Sequence, residues 1–176
     1  SIIQTNNLKI FIPVKKIYSK SNIEINGIEI EKANIYFKMD DVLNFRNHLY
    51  YKINKPIYIK KSKFFLIEEN NKTLLISPLK KIYYGINKNT NSKELKIKGS
   101  IFDINYNSFW KRSYDEPKNS LNEIKLKNPN LSIKNFFSYK DNSNFSGQSS
   151  IEFLNEDIFI NYLIKDNIIF INSPNE

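Results

Sequence analysis

The sequence has no cysteine and only one histidine, His48, in 176 residues. Without cysteine there is no disulfide framework and no thiolate zinc site, but the compartment stays open because many envelope proteins also lack cysteine. A histidine zinc site needs several His or Cys ligands, and no partners for a Ser-His-Asp relay are visible around His48. We therefore interpret His48 as a surface or half-buried side chain, and we predict no metal site and no cofactor.

Arginine is almost as scarce. Arg46 and Arg112 are the only two, although the 27 basic residues outnumber the 18 acidic ones and give a net charge of +9. The arginine guanidinium is the group that usually donates two hydrogen bonds to a phosphate or a guanine, so the scarcity of arginine argues against sequence-specific recognition of nucleic acid. The lysine excess has two interpretations that the sequence leaves open: the codon bias of an AT-rich genome, or a basic surface for nucleic acid or anionic lipid.

Long apolar runs and glycine-rich motifs are missing too. The densest runs, at residues 64–67 and 168–171, are far shorter than the roughly 18 residues of a membrane span. The four glycines stand apart, so there is no P-loop, dinucleotide fingerprint or nucleophile elbow. The sequence begins with Ser and shows no signal peptide, which indicates a processed chain or an excised part of a longer envelope protein.

What the sequence does have is period-two alternation of apolar and polar residues, which predicts a mainly β fold. We expect one β-rich domain over residues 1–176, built as a curved or sandwich-like antiparallel sheet of many short strands with one short helix. The first strand opens with Leu8, Ile10 and Ile12. Asn26-Gly27 between two alternating segments predicts a hairpin that places Glu24 opposite Glu29.

The helix is predicted at residues 42–53, where apolar residues recur at helical spacing after Asp40-Asp41. These two acids are interpreted as an N-cap and its neighbour rather than as a cation site. Further strands are predicted at 57–59, 63–68, 73–76, 80–84, 123–127 and 131–135, with two or three more before Pro174. Turns are predicted at 70–71, 77–78, 87–92 and 114–117.

Two short patterns are candidates for functional sites. Glu94-Leu95-Lys96 fits the E-x-K half of a metal-dependent nuclease motif, but no Asp lies between residues 42 and 93 to supply the second acid, so we predict that the chain is not an enzyme. Trp110, Lys111 and Arg112 interleave aromatic and basic side chains as single-strand nucleic-acid platforms do, although aromatic residues in strands are more often packing residues.

Between residues 94 and 112 the apolar residues move once from odd-numbered to even-numbered positions. Leu95, Ile97 and Ile101 are odd-numbered, and Phe102 and Ile104 are even-numbered. We interpret this stretch as one long strand with a bulge near Ile101 that exchanges its faces.

Residues 95–174 resemble the AsmA- and TamB-like proteins of bacterial envelopes. The segments that carry the resemblance are LKIKGSIFDINYNSFWKR, NEIKLKNPNLSI, FSGQSSIEFL and INYLIKDNIIFINSP. It implies a curved β-sheet with an apolar groove in a protein of the periplasm or cell envelope. It also implies lipid handling or envelope assembly without catalytic residues or cofactors, and a lipid or another envelope protein as partner.

Nine residues are candidates for lining such a groove: Ile97, Ile101, Phe102, Ile104, Tyr106, Ile124, Leu126, Leu131 and Ile133. The same pattern would fit the closed core of a β-sandwich that binds a protein partner, and a third alternative is a non-specific nucleic-acid binding module. Alternation alone does not separate an open groove from a dry core.

Overall fold

The computed structural model describes residues 2–14, 24–38, 55–68, 70, 72–139, 144–154, 156–165 and 168–172. Strand accounts for 80% of these residues, so the predicted mainly β class is confirmed. The described strands are β1 (Ile2–Phe11), β2 (Gly27–Lys38), β3 (Ile57–Ile67), β4 (Thr73–Asn87), β5 (Ser92–Ile101), β6 (Ile104–Ser113), β7 (Asn119–Leu126), β8 (Leu131–Tyr139), β9 (Phe145–Phe153), β10 (Glu156–Lys165) and β11 (Ile168–Asn172).

These strands form one sheet, in which spatial order follows chain order from β1 to β11. The sheet is mixed rather than wholly antiparallel, because β2 and β3 run parallel. A parallel pair needs a crossover of a dozen or more residues, and residues 39–56 are long enough to supply it. The predicted helix at 42–53, with His48 and Asp40-Asp41, falls in this connection and lies outside the described residues.

The residues group into two compact units. Unit 1 comprises Ser1–Ile86 and Ile97–Asp103, and unit 2 comprises Asn87–Lys96 and Ile104–Glu176. The expectation of a single domain stays a prediction.

The hairpin predicted at Asn26-Gly27 is wrong. Residues 24–26 lie outside any strand, and β2, which begins at Gly27, pairs with β1 on one side and β3 on the other. Glu29 therefore lies opposite Lys9 instead of Glu24, and its carboxylate pairs with the Lys9 ammonium at 3.1 Å. The real register replaces a like-charge pair by an ion pair.

A bend line crosses β2, β3 and β4 at the same level of unit 1, through Lys32, Lys61 and Lys80. Lys32 and Lys61 have positive φ angles of 54° and 49°, which interrupt the regular ladder. The Ser62 hydroxyl accepts a hydrogen bond from the Ala33 amide (3.0 Å) and donates one to the Lys60 carbonyl (2.8 Å). These bonds satisfy backbone groups at the bend that would otherwise be buried without partners.

The bend also changes which positions of a strand, odd-numbered or even-numbered, face the core. Ala33, Ile35 and Leu79 form the buried core of unit 1, and the apolar residues that pack against them are Ile30, Ile59, Phe64, Ile82 and Ile97. Ile30 and Ala33 are three residues apart on one strand, yet both face this core. One apolar interior is therefore lined by even positions before the bend in β2 and by odd positions after it.

The turn predicted at Ser77-Pro78 is wrong as well, because both residues lie inside the continuous strand β4. Pro78 is opposite Lys63, and the buried Ser77 hydroxyl donates a hydrogen bond to the Ser100 carbonyl at 2.9 Å. Elsewhere the turn predictions hold: the Glu68 amide donates to the Lys72 carbonyl across the β3–β4 turn, and turns also lie at 88–91 and 114–118.

The stretch at 94–112 is two strands, so the predicted bulge near Ile101 is wrong. Strand β5 ends at Ile101, β6 begins at Ile104, and the two residues between them, Phe102 and Asp103, have φ angles of 48° and 62°. Two positive φ angles are typical of a type I′ hairpin turn. A two-residue turn reverses the chain and moves the apolar residues from odd-numbered to even-numbered positions, which accounts for the pattern without a bulge.

Candidate functional site

The strands of unit 2 alternate in a constant register, so their side chains divide between two faces, which we call the polar face and the apolar face. On the polar face the Glu123 carboxylate pairs with the Lys125 ammonium at 3.1 Å and with the Lys134 ammonium at 3.8 Å. This face also carries Phe109, Leu121, Phe136 and Phe159, whereas the opposite face carries two aligned rows of apolar side chains. The candidate site is this apolar face.

Two aligned rows of apolar residues cross β6 to β10 and form what we call the apolar strip. One row is Tyr106, Leu126, Leu131 and Phe153, and the other is Ile124, Ile133, Ile151 and Ile158. Each row spans four strands. At about 4.8 Å between strands the strip is about 14 Å long, and the rows lie about 7 Å apart along the strands.

The strip is open along much of its length. Ile124 is 43% exposed and Ile158 is 55% exposed, and the other members are half-buried apart from the exposed Phe153. Since the described strands all belong to a single sheet, no second sheet among the described residues covers it. Burying such side chains against an apolar ligand would gain about 25 cal/mol per Å² of apolar surface.

A polar row borders the strip on the same face. The Asn135 side-chain oxygen accepts hydrogen bonds from the Ser149 hydroxyl at 3.1 Å and from the Tyr162 hydroxyl at 2.7 Å. Burial raises the pKa of Tyr162, an effect that the hydrogen bond to Asn135 partly offsets. The Tyr162 ring lies over Gly147, where an added Cβ would clash with the Tyr162 oxygen. A side chain at position 147 would therefore displace the tyrosine.

An aromatic cluster lies beyond the polar row, made by Phe137, Tyr139, Phe145 and Tyr162. Phe137 and Tyr139 meet edge-to-face with ring centroids 5.2 Å apart, and Phe145 contacts Tyr162 in the same geometry at 6.3 Å. Phe137 is only 7% exposed. The apolar face thus has a packed aromatic end and an open aliphatic end, and only the open end offers surface to a ligand.

The structure brings five of the nine predicted groove residues together in the strip: Tyr106, Ile124, Leu126, Leu131 and Ile133. Ile104 lies two residues before Tyr106 in β6 and so shares its face.

The other three candidates belong to unit 1. Ile97 packs against the core of that unit, Ile101 is half-buried at the end of β5, and Phe102 is 82% exposed at the hairpin tip.

Sequence reasoning missed the members of the strip in β9 and β10, which are Ile151, Phe153 and Ile158. The signal was present, because FSGQSSIEF and EDIFINYLIK alternate as β7 and β8 do.

Glu94 of the E-x-K triplet is part of an ion pair. Its carboxylate pairs with the Lys96 ammonium at 2.6 Å and accepts a hydrogen bond from the Asn87 amide at 2.8 Å. Burial alone would raise the pKa of Glu94, but these two hydrogen bonds outweigh it and hold the pKa below its ordinary value of 4.5. No group of three acidic or histidine side chains that could hold a metal occurs in the described ranges.

The lowered pKa predicts how stability depends on pH. A carboxylate with a lower pKa in the folded state contributes stability that is complete above its unfolded pKa and is lost as pH falls through its folded pKa. We expect Glu94→Gln to flatten the decline of the free energy of unfolding below about pH 4.5, measured by urea unfolding from pH 7 to pH 3. Lys96→Met should instead destabilise the protein at pH 7, and unchanged curves for both variants would contradict the ion pair.

The basic-aromatic candidates are not assembled into one platform. Trp110 is buried on the apolar face and lies opposite Asn122, whereas Lys111 is the next residue of the strand and points to the polar face. The Arg112 guanidinium donates a hydrogen bond to the Pro117 carbonyl and so holds the β6–β7 turn.

No helix within the described ranges is both long and apolar enough to cross a membrane. No family model matches the chain, and it matches neither a curated protein nor a solved structure. The geometry of the apolar face is therefore the basis for assigning a function.

Proposed function

We propose that this chain is a non-enzymatic protein of the periplasm or cell envelope that holds lipid acyl chains on the apolar strip, in lipid handling or envelope assembly. The observation that carries the proposal is the strip itself: two aligned apolar rows, left open on the face opposite the Glu123–Lys125 ion pair.

The dimensions of the strip favour an acyl chain. The hydrocarbon core of a bilayer is about 30 Å thick, so the chains of one leaflet extend about 15 Å, close to the length of the strip. Two rows about 7 Å apart leave a track between them in which one chain can contact side chains on both sides. No hydrogen bond needs to be made along it, because an acyl chain has no polar group to satisfy.

The envelope setting rests on the resemblance of residues 95–174 to AsmA- and TamB-like proteins, and the strip lies wholly inside that segment. A lipid-binding strip needs no catalytic residue, and the ion-paired state of Glu94 agrees with a structural role for the one motif that suggested an enzyme.

A protein partner is the second candidate. Because the described strands form a single sheet, a partner sheet could pack on the strip and complete a two-layer sandwich with the usual spacing of about 10 Å. Nucleic-acid binding on unit 2 is disfavoured, since Trp110 and Lys111 face opposite sides of β6.

The test places a photo-crosslinking amino acid at Leu126, in the strip, and at Lys125, the adjacent residue on the polar face. We expect irradiation in the presence of phospholipid to give lipid adducts at Leu126 and none at Lys125, as measured by mass spectrometry. Ile124→Asp should abolish the adducts at Leu126 and leave the circular dichroism spectrum unchanged, because Ile124 is largely exposed.

Two outcomes would contradict the proposal. Equal lipid labelling at Leu126 and Lys125 would show that capture does not depend on the apolar face. Adducts at Leu126 that contain protein and no lipid would favour the second candidate, in which the strip is the contact surface for a partner.

A further inference from the structure

Unit 1 has an outer face, which we define as the side of β1 to β4 opposite the core of Ala33, Ile35 and Leu79. The next residue along a strand faces the other way, so Tyr36 lies on the outer face because Ile35 lies in the core. The outer face combines two features that the apolar strip does not involve.

The first feature is an apolar row. Ile2, Tyr36, Phe65 and Ile76 are aligned across β1, β2, β3 and β4. Tyr36 and Phe65 stack with ring centroids 4.9 Å apart, and the two ends of the row are open, with Ile2 63% exposed and Ile76 exposed as well. Exposed Leu74 and Phe102 line a shallow recess together with Ile76, and Asp103 lies at the same recess.

The second feature is a lysine row along the bend line. Lys32 and Lys61 both lie between the aligned pairs Glu31–Lys60 and Asn34–Lys63, and Lys80 continues the row in β4. All three are exposed. Lys32 and Lys61 place like charges at the same level of two neighbouring strands, and both have a positive φ, which is unfavourable for lysine. An anionic partner would compensate the cost at these two positions.

The two acidic residues of β2 lie to one side of the lysine row. Glu29 pairs with Lys9 at 3.1 Å and with Lys60 at 2.5 Å, and Glu31 pairs with Lys9 at 3.5 Å. The apolar row lies on the other side, four residues along β2 from Lys32, which corresponds to about 13 Å. The order along the strands is therefore apolar row, lysine row and ion-paired region.

We propose that the outer face of unit 1 docks on an anionic membrane surface, with the apolar row at the acyl boundary and the lysine row among the headgroups. Lysine stems can lie along apolar surface while the ammonium reaches the headgroup level, which accommodates the distance between the rows. Basic residues close to anionic lipid are attracted within a Debye length of the surface, and the attraction weakens as salt increases.

The composition of the face favours a bilayer over single-stranded nucleic acid. Nucleic-acid platforms stack bases on exposed aromatic rings, whereas the most exposed members of the apolar row, Ile2 and Ile76, are aliphatic. The cations are lysines, which act as point charges and cannot donate the paired hydrogen bonds that an arginine guanidinium makes to a phosphate.

The test is co-sedimentation of the whole chain with phosphatidylserine–phosphatidylcholine vesicles and with pure phosphatidylcholine vesicles. The variant combines Lys32→Asn, Lys61→Asn and Lys80→Gln, since asparagine tolerates positive φ and so keeps the bend. Each lysine near an anionic surface contributes roughly fivefold to binding, so we expect the triple variant to lose about a hundredfold in affinity. Ile76→Ser should weaken binding further.

A matched control removes three exposed lysines of unit 2 through Lys118→Gln, Lys127→Gln and Lys165→Gln. It should bind as the unchanged protein does, and an equal loss would show that only net charge matters and overturn the proposal. Equal affinity for neutral vesicles, or tighter binding to an oligothymidylate that the triple variant loses, would overturn it as well. Ile124→Asp should leave docking intact, which separates this test from that of the apolar strip.

Discussion

Leu79→Asp is expected to unfold unit 1. Leu79 is 4% exposed and packs in the core with Ala33 and Ile35, which are both buried. A carboxylate placed there would lie among the apolar side chains of the core, and burying it costs about 4 kcal/mol or more, a large part of the stability of a domain. Circular dichroism and urea unfolding should show loss of strand signal at pH 7 and recovery of part of it below about pH 4, where the carboxyl is neutral.

The matched control is Lys81→Asp, two residues further along β4 on the outer side. Lys81 is exposed and lies opposite Lys60, so the new carboxylate would face a cation in water and stability should change by less than about 0.5 kcal/mol. If Leu79→Asp unfolded no more readily than Lys81→Asp, the interior of unit 1 would have to be wet, and the bend would not enclose a core.

The strands of unit 2 could be predicted from the sequence because their alternation has a direct physical cause. Around the strip, apolar residues such as Ile124 and Leu126 alternate with polar ones such as Lys125, and the register from β6 to β10 keeps that pattern constant. Five groove candidates therefore fall in one strip. Their neighbours in β9 and β10 follow the same rule and could have been named with them.

Unit 1 was harder to predict because its decisive features are not local. Asn26-Gly27 has the composition of a hairpin turn, but Gly27 is drawn into a strand whose partners are β1 and β3. Tertiary pairing here overrides a local turn preference. Neither strand has a sequence pattern that indicates the parallel pairing of β2 with β3. The bend at Lys32 and Lys61 places lysine at positive φ, where turn preferences favour glycine or asparagine.

The move from odd to even apolar positions between Ile101 and Phe102 is a pattern that the sequence shows correctly, but the structure predicted from it, a bulge, is wrong. A bulge and a two-residue turn both move the apolar positions from odd to even numbers, and only the turn reverses the chain. Phe102-Asp103 lacks the Asn-Gly or Asp-Gly composition that marks type I′ turns, so the sequence favoured the bulge. The consequence for the site is concrete: Phe102 is an exposed tip and not part of a groove.

Phe137→Ala is expected to lower the free energy of unfolding by about 3–5 kcal/mol, the usual cost of deleting a buried phenylalanine side chain. Phe137 is 7% exposed and contacts the rings of Tyr139 and Phe145, so its removal leaves a cavity and removes two ring contacts. Its neighbour Phe136 provides a matched control, because it has the same side chain on the same strand but points to the opposite face and is 50% exposed. Phe136→Ala should cost less than about 1 kcal/mol.

This pair of variants tests where the binding surface ends. If the aromatic cluster is packed as the ring distances indicate, ligand capture at Leu126 should survive Phe136→Ala unchanged, and urea unfolding followed by tyrosine fluorescence should separate the two variants clearly. Equal costs for Phe136→Ala and Phe137→Ala would mean that the aromatic end of the face is as open as the aliphatic end. The apolar strip would then extend through the polar row to Tyr162, and a ligand longer than one acyl chain would be needed to cover it.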